Sequence, residues 1–247
     1  MASEGRYLYC VTEAAEASEV KVGDLGIFGR EVSGVAYKDV TAVVSAIPFK
    51  AIDASLDNIV LHQKVVEACR LKATTLPVRF GVIFKNEEGV TEMLSKSYED
   101  YHSKLAKLRG KDEFGAKVII DEAGLKRIKA EVETESAEVK KLNRAVAKAS
   151  KGTSYLLKIK VDEALRIETA KRIEDLSRGV YAELARAALE GALLKTEHEQ
   201  IVLNAAYLVD RSSRIEFQAE AGKVKRKYEK QGLAIHLSGP WAPYSFC

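Results

Sequence analysis

The chain has 247 residues, 47% of them apolar, with 39 basic and 36 acidic side chains giving a formal net charge of +3. That near balance argues against a dedicated nucleic-acid binder, which needs a concentrated basic face, without excluding a local patch. Three cysteines, Cys10, Cys69 and Cys247, lack the number and spacing of a disulfide framework or a zinc site.

No apolar run approaches the roughly 20 residues of a membrane span, and MASEGRYLYC lacks a signal-peptide pattern. The expectation is a soluble, cytoplasmic protein large enough for one big or two modest domains.

Residues 6–12, RYLYCVT, are β-branched and aromatic and predict a first strand. A loop with Gly23, Gly26 and Gly29 follows. Strands are predicted at 32–37 and 41–46, with Lys38 and Asp39 at hairpin spacing between them. Over 57–73 the period changes to that of a helix, with Asp57 placed to cap and Ile59, Val65, Val66 and Cys69 near one face. TLPVRFGVIF (75–84) reads as a nearly continuous strand interrupted by Pro77 and Gly81, and 88–108 as one helix. Strands covered by helices on one side make an α+β domain over 1–110.

The second half, 111–238, starts with a strand at 114–121. From Leu125 the apolar positions 125, 128, 132, 139, 142, 146 and 149 keep heptad steps, with Glu135 as a charged interruption. A second helical stretch runs from Gly152 and Thr153 to about Leu194, so the arm over about 123–194 is predicted as an antiparallel hairpin. Two readings of the arm are open: a pair that packs its own seam, and a coiled coil that binds a partner.

Residues 199–210 read as two short strands turning near Asn204, 213–231 as a basic helix and 233–238 as a last strand. The order matches a βαββαβ, ferredoxin-like plan whose first crossover is swollen into the arm. The whole is α+β: two domains with ferredoxin-like character and a long antiparallel helical hairpin (coiled coil) inserted in the second.

Chemistry is sparse. Gly26, Gly29 and Gly34 fit neither GxGxxG nor a Walker loop. His62, His102, His198 and His236 have no partners at metal spacing, and no nucleophile–base pair stands out. No catalytic, cofactor-binding or metal residue is therefore assigned, and no enzyme is expected. The basic run KVKRKYEK (223–230) reads as a solvated helix face, flanked as it is by acids. An RNA-binding module would need aromatics on the sheet face, and only Phe114 and Tyr207 are available. An RNA- or ligand-binding ferredoxin-like module is the alternative function.

The most distinctive stretch is the last one, LSGPWAPYSFC (237–247), with the only tryptophan and two of the four prolines. Pro240 and Pro243 restrain it, and Trp241, Tyr244 and Phe246 give it apolar area. Two readings are open: residues 239–247 pack back across the domains, or Trp241 and Phe246 anchor another polypeptide. In LPVRFG, Pro77 and Gly81 bend a core strand, Phe80 lies within it, and Arg79 points outward, pairs internally or makes a contact.

Four stretches together, YLYCV (7–11), TLPVRFGVIF (75–84), NAAYLV (204–209) and GPWAPYSF (239–246), resemble the gas vesicle protein F/L family from Arg6 to Phe246. Ala242 stands where that family commonly has proline. The resemblance implies two α+β domains with a coiled-coil element and a non-enzymatic role in the gas vesicle, a protein-shelled organelle in the cytoplasm. It implies, as partners, the hydrophobic main shell subunit, whose aggregation it would limit during nucleation, and other accessory vesicle proteins. No cofactor, nucleic acid or lipid membrane enters this picture. The candidate structural or interface residues are Pro77, Arg79, Phe80, Pro240, Trp241, Pro243, Tyr244 and Phe246.

Overall fold

The computed structural model describes residues 4–13, 26–196, 198 and 200–247. Most of the predicted loop, including Gly23, lies outside them, as does Glu199 at the start of the predicted strand pair. The fold is mixed α/β with two antiparallel sheets. The chain divides into two units, Met1–Glu113 with Pro240–Cys247, and Phe114–Gly239.

In the first unit β1 (Glu4–Glu13) is the hub. It pairs antiparallel with β3 (Val40–Pro48) on one side. On the other side it pairs with two short strands in succession, β4 (Thr75–Pro77) and β5 (Ile83–Phe84). Strand β2 (Val32–Tyr37) adds to β3, giving the order β2-β3-β1-β4 with β5 also on β1. Tyr37 opposite Val40 leaves Lys38 and Asp39 as a two-residue turn. Lys38 has φ 52°, a left-handed conformation unusual outside glycine. Contacts with Tyr98 hold it there. The Lys38 ammonium lies 3.9 Å from the ring centroid, and the Tyr98 hydroxyl donates to Asp39 at 2.6 Å.

Helix α1 (Leu56–Arg70) is capped two residues before the expected position: Ser55, not Asp57, accepts the Asn58 N–H. Its inward positions Val65, Val66 and Cys69 are buried, but Ile59 is not. The predicted helix 88–108 is two helices, α2 (Glu87–Lys96) and α3 (Tyr98–Leu108), divided at Ser97. The predicted strand 75–84 is likewise divided. Val78 and Val82 still bond to Tyr9 and Leu8 of β1, but Pro77 supplies no N–H to a ladder and Gly81 takes φ +94°, and residues 79–81 bow out of the ladder.

The second unit takes most of β6 (Lys111–Ile119), a start three residues earlier than predicted. Helix α4 (Glu122–Glu135) is capped by Asp121, which accepts the Gly124 N–H at 2.7 Å. The heptad pattern does not run through one helix. Ser136 leaves the helical region and caps a new one, α5 (Ala137–Lys148), accepting from Val139 N–H. Both α4 and α5 lie against α6 (Lys151–Arg186). Glu135 meets Arg172 of α6 at 3.7 Å, with both side chains largely in solvent.

Helix α6 ends at Arg186, not near Leu194. Residues Glu190–Leu193 form β7, paired antiparallel with β8 (Ile201–Asp210). The expected pair of strands at 199–210 is therefore one strand whose partner comes from the predicted helix end. Ala and Leu in 187–194 suit a helix, yet the Leu189 N–H already bonds to Leu208 C=O at 2.9 Å, so sheet pairing overrides propensity. Asn204 sits inside β8 and donates to Lys195 C=O rather than making a turn. Helix α7 (Arg214–Glu229) and β9 (Ala234–Trp241) complete the unit, with strand order β7-β8-β6-β9. Its core unites Phe114, Ile128, Val132, Val139, Leu165, Val180, Leu184, Tyr207 and Phe217.

Candidate docking site

Three of the distinctive stretches meet in the core of the first unit. Tyr7, Tyr9 and Cys10 from β1, Val65, Val66 and Cys69 from α1 and Ala242 from the tail form one buried cluster. Phe80 and Tyr244 pack on its margin. The fourth stretch, NAAYLV, lies in the core of the second unit, where Tyr207 is fully buried. Phe114 is buried there too, so neither aromatic is presented for stacking on RNA bases.

The bowed LPVRFG segment is sealed by side chains. His62 donates from Nε2 to Val78 C=O at 3.0 Å, which leaves Nδ1 to accept the Tyr7 hydroxyl at 2.8 Å. That hydroxyl accepts the Gly81 N–H at 3.2 Å. The Val78 C=O and the Gly81 N–H are thus satisfied from α1 and β1. Burial pushes the His62 pKa down and the Tyr7 pKa up. Phe80 sets its ring 5.9 Å from Tyr7 and 5.8 Å from His62, centroid to centroid. Pro77 is buried in β4, while Arg79 is exposed and makes no ion pair among the described residues.

The tail leaves β9 at Trp241 and ends in a 3-10 turn, Tyr244–Phe246. Gly239 has φ +111°, a conformation that excludes most side chains where the chain passes into the first unit. Ala242, Pro243 and Phe246 are buried. The Tyr244 hydroxyl donates to Gln63 Oε1 of α1 at 3.1 Å. Ser245 donates twice to Glu113, from its N–H at 2.8 Å and from its hydroxyl at 2.9 Å. Burial raises the Glu113 pKa, against those two bonds, which lower it. Nearby in sequence, Asp112 is buried against Arg70 at 2.5 Å, and Arg70 also grips Glu67. Pro240 is half-buried, and Trp241 remains 42% exposed.

One surface was not legible beforehand. Leu56, Ile59 and Val60 on α1 are 76%, 42% and 42% exposed. They recur at i, i+3 and i+4, and the next position of that stripe, i+7, is Gln63, which holds Tyr244. The sequence signal was surplus: LDNIVLHQKVV has more apolar residues than one buried face takes.

A family model for "Gas vesicle synthesis protein GvpL/GvpF" matches residues 5–247. The chain belongs to the GvpL/GvpF family. It is 26% identical to gas vesicle protein L of Streptomyces sp. (strain CB03234), over 98% of this chain and 92% of that one. It is 25% identical to gas vesicle protein F of Haloferax mediterranei, over 99% and 93%. The crystal structure of GvpF from Anabaena sp. PCC7120 superimposes with a TM-score of 0.82 at 23% identity, covering 99% of this chain and 98% of that one. GvpF from Microcystis aeruginosa gives 0.77 at 22%, covering 98% of each. The fold of this family member is therefore GvpF-like along its length, and it is a gas vesicle protein. The family is one of vesicle structure and assembly and is not known for enzymes. Among the described residues no helix is long and apolar enough to cross a membrane.

Proposed function

We propose that this GvpL/GvpF protein is a non-enzymatic, cytoplasmic assembly factor. It binds the hydrophobic main shell subunit during nucleation, and other accessory vesicle proteins in turn, and limits the subunit's aggregation. The observation that carries the reading is the exposed stripe Leu56–Ile59–Val60, leading to Gln63 and the tail. Fully burying an aliphatic side chain stabilises by about 1.5–3 kcal/mol, so three such residues supply several kcal/mol toward an apolar partner. Trp241, itself 42% exposed, is a further apolar group open to a partner, and the exposed Arg79 can meet a carboxylate. Pro77, Phe80, Pro240, Pro243, Tyr244 and Phe246 hold this surface in shape.

We further propose that the second unit is ferredoxin-like and carries a coiled-coil arm. The strand order β7-β8-β6-β9, with helices between β6 and β7 and α7 between β8 and β9, supports this.

The test is co-sedimentation of purified shell subunit with wild type, with the Leu56→Ser, Ile59→Ser, Val60→Ser triple variant, and with Trp241→Ala. The triple variant is expected to bind at least about tenfold more weakly at unchanged melting temperature, since exposed positions alter stability little. Undiminished binding by a folded triple variant would sink the assignment of this surface.

A further inference from the structure

Helix α6 has 36 residues, about 54 Å of helix. One side is spoken for: Leu165, Thr169 and Leu176 are buried, and Val161, Ala164 and Ile173 pack against the same core. The opposite side is in solvent, yet it carries Tyr155, Leu156, Ile159 and Ile167, each 51–68% exposed. A solvated helix face ordinarily has scattered apolar residues, not four within four turns.

The pattern on that face is self-complementary. Thr153, Leu156, Lys160, Glu163, Ile167 and Ala170 follow each other in alternating steps of three and four, the spacing of a and d positions. They are also symmetric about the point midway between Val161 and Asp162. Leu156 and Ile167 stand equally far from it, as do Lys160 and Glu163, and Thr153 and Ala170. In an antiparallel pair related by a two-fold axis, residues equally far from the axis share a layer.

We propose that the outer face of α6 is a homodimer interface, on which a second copy of this chain lays its own α6 antiparallel, with the axis between Val161 and Asp162. Leu156 then packs on Ile167 of the second copy, and Lys160 meets its Glu163. Both contacts occur twice. The charges fit this occupant. Lys160 has no ion pair among the described residues, while Glu163 is held at 2.7 Å by Arg166 of its own helix. Dimerisation gives Lys160 an acid and extends the Glu163–Arg166 pair into a network. In a parallel arrangement at equal height Lys160 would face Lys160 and Glu163 would face Glu163, so the charges select direction as well as register.

The area sets the strength. Leu156 and Ile167 lie in this seam and Ile159 beside it, and together they offer roughly 300 Å² per copy, well under half of the ~800 Å² per partner in a standard interface. An interface of this size is weak and transient. It forms where the protein is locally concentrated.

Sedimentation equilibrium of the full chain between about 1 µM and about 1 mM tests this. Wild type is expected to show a concentration-dependent monomer–dimer equilibrium. Lys160→Glu and Glu163→Lys, each placing like charges in two layers, are expected to weaken it at least about tenfold. The double exchange Lys160→Glu with Glu163→Lys is expected to restore it, which loss of folding would not do. A chain that stays monomeric at all concentrations, or single variants that dimerise like wild type, overturns the proposal. So does a double variant that is folded yet fails to recover.

Discussion

Glu113 and Ser245 stand 132 residues apart and are joined by two hydrogen bonds, one from the serine N–H and one from its hydroxyl. The C-terminal turn is thereby seated on a buried carboxylate at the start of β6, within the first unit.

Substituting Glu113 separates acceptor from charge. The folded state raises its pKa, so this group favours folding most below the ordinary carboxyl range, and that contribution is lost as pH rises through the folded value. Near pH 7 the buried charge is a net cost. Glu113→Gln keeps an acceptor for Ser245 and is expected to melt at or above wild type at pH 7. Glu113→Ala strands the Ser245 donors and is expected to cost about 1–3 kcal/mol. Thermal melts of the three proteins check this; an alanine variant as stable as wild type would show that the turn is held elsewhere.

His62 gives the opposite pH dependence. Its pKa is lowered by burial, so the unfolded chain takes up the proton first. Its contribution is complete above the ordinary histidine value of 6.5 and declines as pH falls through and below it. Protonation also gives Nδ1 a hydrogen and takes from the Tyr7 hydroxyl its acceptor. Melting between pH 7.5 and pH 5 is expected to drop more steeply in wild type than in His62→Phe. Parallel curves would remove His62 from the account.

Tyr207 is buried in the second unit with a hydroxyl that has no hydrogen-bond partner among the described residues. An unpaired buried hydroxyl costs free energy, and nothing is lost on deleting it while the ring stays against Phe217. Tyr207→Phe is expected to stabilise by about 1 kcal/mol, a rise of roughly 2–4 °C in Tm. A fall in Tm would reveal an interaction of that oxygen with water or with a bound group.

Some features were readable at once. The β1 strand, the Lys38–Asp39 hairpin, and helix α7 each announce themselves within ten to twenty residues. The break at Ser136 was readable too, as a capping serine followed by Glu138, but the unbroken heptad steps concealed it. The exposure of Ile59 was not readable, because a helix with apolar residues on two faces does not say which face is covered.

Composition, local period and four distinctive stretches determined the family and most of the elements, since these depend on neighbours a few bonds away. Tertiary structure alone decided that 190–193 is a strand and that LPVRFG bows out around His62. It also decided that the tail returns to Glu113 and Gln63, and that apolar stripes on α1 and α6 face solvent. Each of these turns on a partner distant along the chain, and neither propensity nor periodicity encodes that distance.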